Sequence, residues 1–194
     1  VWGARSTSLF FVSIFDNKGK IIDEYQSLDY IREAHSSKQA EIILILHQVK
    51  DNRITIWNRL DDSVKTIEIL NGSDNIHGPA ISRNGKYAVL QVFREEISLI
   101  DAINCSEILY KTVDESFAGS FKHILDIAVS DEGNILVMGH SEGVVGYCIM
   151  DKTGKLIESK VLDDFEHDGY IYRNFRIQEL TQDKFAIVHK TNKI

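Results

Sequence analysis

Apolar residues along this chain come in short runs rich in Ile, Val, Leu, Phe and Tyr, each closed by Gly, Asn, Asp or Ser. That pattern belongs to β-strands joined by turns. Strands are expected over 9–16, 21–26, 41–49, 53–59, 64–70, 76–82, 86–93, 96–102, 107–113, 123–130, 134–141, 144–151, 155–162, 170–178 and 184–190. No window of a dozen residues sustains a helical period; "SLDYIREAHSS" comes nearest and is too short. The chain reads as all-β.

The strand endings recur. Phe15-Asp16, Trp57-Asn58, Ile100-Asp101 and Met150-Asp151 place an Asp or Asn at steps of 42, 43 and 50 residues, each followed by a turn and another strand. A second column lies in the turns "SRNGKY" at Ser82 and "SDEGNI" at Ser130, a step of 48, with "TQDKFA" at Thr181 a looser third. Self-similarity at this period points to a propeller or solenoid. An Asp or Asn at a strand end accepts hydrogen bonds from the backbone of its own tight turn, and Gly supplies the positive φ. The large apolar residue before it is then free to pack between neighbouring repeats, so Trp57 is expected in an inter-blade core.

With both turns on the page, "ISRNGKYAVL" from Ile81 and "VSDEGNILVMGHSEGVVGYCIMDKTGKLIES" from Val129 resemble the WD-repeat family in a degenerate form. The resemblance implies a β-propeller of four-stranded antiparallel blades, about four blades' worth in this chain. It also implies a histidine ahead of each first strand in a buried hydrogen-bond network, a place matched by His77 and His123. Full blades are expected at about 29–71, 76–113 and 123–162, with 1–27 and 170–194 supplying the halves of a split blade. Those halves either close a small ring or belong to a larger propeller of which the chain is a fragment; the opening on Val1 and the ends in mid-blade favour the fragment.

Composition narrows the function. A length of 194 residues suits a single domain, and 43% hydrophobic with 26% charged residues is an ordinary globular balance. The net charge of -7 and scattered basic residues disfavour nucleic acid as a partner. The apolar runs fall short of the roughly 18 residues that would span a bilayer, so no membrane is expected. Cys105 and Cys148 form no metal-binding pattern and suit a reducing, cytoplasmic setting.

Propeller function usually resides on loops. The richest is "LDDFEHDGYIYRNFR", Leu162 to Arg176, where Asp164, Glu166 and His167 crowd beside Tyr170, Tyr172 and Arg173. The aromatics and Arg173 suit a protein-binding epitope. Phe117 and Phe121 in "DESFAGSFKH" form a second candidate. His47, His140 and His189 each close a strand and read as an echo of the repeat; neither a metal nor a cofactor is expected. No HExxH or phosphate-cradling glycine loop is present. The expected function is therefore a protein-interaction scaffold, with further propeller repeats or an effector domain outside this chain. The alternative is a propeller enzyme or small-ligand binder, lactonase-like or sialidase-like, with its site at the mouth of the central channel.

Overall fold

The computed structural model describes residues 8–47, 53–68, 77–92, 95–113, 123–141, 144–162, 175–181 and 184–189. All regular structure among them is strand. The order is β1 (Phe10–Phe15), β2 (Ile21–Ser27), β3 (Ile31–Ser36), β4 (Ile42–His47), β5 (Arg53–Asn58), β6 (Ser63–Glu68), β7 (His77–Ile81), β8 (Tyr87–Gln91), β9 (Glu96–Asp101), β10 (Ser106–Thr112), β11 (His123–Val129), β12 (Ile135–Ser141), β13 (Val144–Met150), β14 (Leu156–Leu162), β15 (Phe175–Thr181) and β16 (Lys184–His189). They form three four-stranded sheets, β3 to β6, β7 to β10 and β11 to β14, flanked by the hairpins β1–β2 and β15–β16. Every neighbouring pair is antiparallel. The two hairpins stand as separate two-stranded sheets.

β3 lies outside the strands expected from the sequence. It falls in the stretch whose nearest pattern is helical, because "IREAHS" lacks clean alternation. It is an edge strand bonded only to β4 and half-buried, so its β-structure is imposed by its neighbour rather than by propensity.

The sheets stack face to face. In β4 every side chain is buried, and alternate residues serve opposite faces. Ile43 and Ile45 join Trp57 against Val12, Ile14 and Tyr25 of the preceding hairpin. Ile42, Leu44 and Leu46 meet Ala88, Leu90 and Ile100 of the following sheet. The next interface sets Tyr87, Val89 and Leu99 against Ile135, Val137 and Met150, and the last sets Met138 and Val145 against Ile177 and Ile187 of β16's hairpin. Each fully buried Leu or Ile contributes about 1.5–3 kcal/mol. The first strands face one another, β11 lying beside β7 and β15, and so mark the inner side of the stack. Asp126 fixes this side: its carboxylate accepts the Ile177 N–H at 2.8 Å and the Ile127 N–H at 3.0 Å.

Turns between first and second strands lock the blades together. Ser37, Ser82 and Ser130 are buried. Their hydroxyls accept the N–H groups of Ile42, Tyr87 and Asn134 at 3.0–3.1 Å. Lys38 N–H donates to the Arg83 carbonyl, and Asn84 N–H to the Asp131 carboxylate, so consecutive turns are tied in series. The left-handed position of each turn is filled by Ala40 (φ 53), Gly85 (φ 74) and Gly133 (φ 87). At Gly85 a Cβ would meet Ile42 Cγ1 at 2.6 Å, so glycine is required there by both backbone and packing.

Gly85→Ala should therefore destabilise the fold by about 2–5 kcal/mol, combining left-handed strain with overpacking. Gly19→Ala, also at positive φ but with open space around its Cβ, should cost only about 1–2 kcal/mol. Urea unfolding of both variants checks the difference; equal losses would remove the packing contribution.

Candidate functional site

The stack has two rims. One carries the turns just described together with those joining third and fourth strands. There the repeat column Asp16, Asn58, Asp101 and Asp151 sits at the ends of β1, β5, β9 and β13. Asp16 accepts the N–H groups of Lys18 and Lys20, and Asn58 that of Leu60. Asp101 accepts those of Ile103 and Asn104, and Asp151 those of Thr153 and Lys155 plus the Thr153 hydroxyl at 2.6 Å. The Thr153 hydroxyl bond, aided by the Lys155 N–H, holds the Asp151 carboxyl below the usual carboxylate range. At Asp101 burial works upward, but the Asn104 and Ile103 hydrogen bonds outweigh it. These carboxylates are already engaged in holding turns.

The residues before them point into the preceding unit. Trp57, Ile100 and Met150 are 3%, 1% and 0% exposed. Tyr25 lies 6.0 Å from the Trp57 ring, and Arg59, paired with Asp23 at 2.7 Å, lies over its face. Phe15 occupies the same place in β1, yet it is 57% exposed, and Phe11 on the same side of the strand is 49% exposed.

The other rim carries the ends of second strands and the starts of first strands. His47 closes β4, buried, with Nε2 2.9 Å from the Thr55 hydroxyl. Its Nδ1 has no hydrogen-bond partner among the described residues. Burial pushes its pKa down, partly offset by the Asp29 carboxylate, which pairs with Arg53 at 2.9 Å. On the third blade His123 opens β11 directly opposite His140 in β12. Their ring centroids are 5.1 Å apart at 33°. Burial, then the neighbouring His123, lowers the pKa of His140.

His47 and His140 are not strict equivalents. His47 stands four positions beyond Ile43, which faces Trp57. His140 stands five beyond Ile135, which faces Met150. One residue of offset turns a strand side chain to the opposite face, so His47 meets Tyr25 of the preceding hairpin whereas His140 shares its side with Met138. His77 opens β7 opposite Gln91, and His189 closes β16 opposite Phe175.

The loop candidates Asp164, Glu166, His167, Tyr170, Tyr172 and Arg173, with Phe117 and Phe121, lie outside the described residues. Among the described residues no group of three or more His, Cys, Asp or Glu is placed to hold a metal ion. No helix there is long and apolar enough to cross a membrane. Both cysteines are free, and burial pushes the Cys148 thiol up to about 12, far from a reactive thiolate. Two features escaped the sequence reading. The Ser37 turn lacks the glycine that marks its counterparts, and the His123–His140 pairing required the hairpin register. The near-symmetric spacing of these two histidines about the Ser130–Gly133 turn was the available signal.

His47 is held neutral in the fold by burial, whereas the unfolded chain takes up a proton near its ordinary value of 6.5. Its contribution to stability is therefore present above about pH 6.5 and is lost as pH falls below it, with a slope of at most about 1.4 kcal/mol per pH unit. Urea unfolding between pH 7.5 and about pH 5 should show this slope in the wild type and a shallower one in His47→Gln. An unchanged slope would place the proton uptake elsewhere.

No protein-family model matches the chain, and no curated protein matches it. Solved structures do. Kuenenia stuttgartiensis hydrazine synthase is similar with a TM-score of 0.59 at 14% identity, over 94% of this chain and 50% of that one. Dihydro-heme d1 dehydrogenase NirN, in complex with DHE, gives 0.55 at 14% identity over 92% of this chain and 39% of its own. The WD40 repeats of RRP9 give 0.50 at 15% identity over 68% and 38%. The chain thus spans half or less of the length of each. At these identities the likeness establishes the fold alone: the chain is folded as a β-propeller.

Proposed function

We propose that the chain is part of a larger β-propeller that acts as a protein-interaction scaffold. The observation that carries this reading is the two-sidedness of the β1–β2 hairpin. Val12, Ile14 and Tyr25 are packed against the first full sheet, whereas Phe11, Phe15, Ile21 and Ile22 are each about half exposed or more. In the three other repeats the residue equivalent to Phe15 is covered by the preceding unit. Apolar side chains exposed at a position that the other repeats cover point to protein contact. The cover that fits is a further blade, which completes the stack and leaves the loops to meet a partner.

The mechanism is rigid display. Strands buried on both faces cannot shift without opening two interfaces, so the framework that displays the loops is ordered before binding. Tyr170, Tyr172 and Arg173, with Phe117 and Phe121, supply the residue types that dominate binding hot spots. The partner is a protein, without nucleic acid or membrane.

Affinity capture from the source cytosol with the purified chain, followed by binding measurements on the captured protein, tests the reading. Tyr172→Ala/Arg173→Ala should weaken binding by at least about tenfold, as loss of a hot-spot pair does, while leaving the thermal melt unchanged. A partner held equally well by this variant and by Phe117→Ala/Phe121→Ala would contradict it.

A further inference from the structure

We propose that His123 and His140 form a binding site for a transition-metal ion of the Cu(II) or Zn(II) class, at the inner end of the third blade. This goes beyond the scaffold reading and does not depend on it. The two residues are directly opposed across the β11–β12 pair, so their side chains emerge on the same face of the sheet. A metal–nitrogen bond of about 2.0–2.1 Å, with the ring centre about 1.1 Å farther on, puts two imidazoles sharing one ion at about 90–109° with centroids about 4.5–5.2 Å apart. The observed separation is 5.1 Å. The spacing of the two rings therefore falls within the range that a shared ion requires.

Two further features suit ligation. His123 is exposed, which gives an ion an approach from solvent. The strand that carries His123 is pinned two residues after Ile124 by the Asp126 carboxylate, which holds the Ile127 and Ile177 N–H groups. The bulge between Ile124 and Asp126 lies beside that anchor, so the path of β11 next to His123 is set by hydrogen bonds rather than by the histidines themselves.

Among the described residues no third His, Cys, Asp or Glu joins the two imidazoles. A two-imidazole site is of moderate affinity. It prefers Cu(II) to Zn(II), following the general order for nitrogen ligands.

The test is calorimetric titration of the purified 194-residue chain with CuCl₂ in a non-coordinating buffer, beside His123→Ala, His140→Gln and His35→Ala. The wild type should bind one ion that both site variants lose or hold at least about tenfold more weakly, with His35→Ala unaffected. Because His123 is exposed, His123→Ala should keep the wild-type melt. Electron paramagnetic resonance of the copper-loaded wild type should show two imidazole nitrogens, reduced to one in His123→Ala. Equal affinity in wild type and His123→Ala, or a spectrum unchanged by that substitution, would overturn the proposal.

Discussion

Burial of the second and third strands on both faces is the constraint from which the rest of this structure follows. A strand with one solvated face alternates apolar and polar residues, but β4, β8 and β12 are nearly continuous apolar runs, because each lies between two neighbouring sheets. Ile43 and Ile45 serve one interface while Ile42, Leu44 and Leu46 serve the other. No four-stranded sheet here has a core of its own. Stability is therefore a property of adjacent pairs, as in other repeat architectures.

That constraint decides where polar groups stand. Serines 37, 82 and 130 are buried only because each hydroxyl closes a turn, and the Asp or Asn column at the third-strand ends is spent on turn N–H groups. Glycine at 85 answers the same demand, since a neighbouring blade approaches to within reach of a Cβ. The turn rim is thus committed to structure. The opposite rim holds the less constrained chemistry: His47 against Thr55, Asp29 with Arg53, and the opposed pair His123 and His140.

Much of the fold was legible in the sequence because its signals are local and periodic. A strand end such as Ile100-Asp101 or Met150-Asp151 announces both an inter-blade plug and a capped turn, and the structure places Trp57, Ile100 and Met150 between sheets. β3 was not legible, because an inner edge strand needs only half a face and takes its conformation from β4. The turn at Ser37 hid for a related reason: Ala40 adopts the left-handed conformation that glycine marks elsewhere. Candidate chemistry was less legible still. His123 and His140 are 17 residues apart and become partners only through the hairpin register, whereas the loop around His167 was chosen on composition alone.

Mutual two-face burial, rather than any single sheet, holds the protein together. Amide hydrogen exchange on the purified chain under native conditions tests it most directly, because exchange reports the free energy of local and global opening. Amides of β4, β8 and β12 should exchange last and together, through global unfolding, while those of β1–β2 exchange well before them. Uniform protection across the chain, or slower exchange in β1–β2 than in β8, would contradict it.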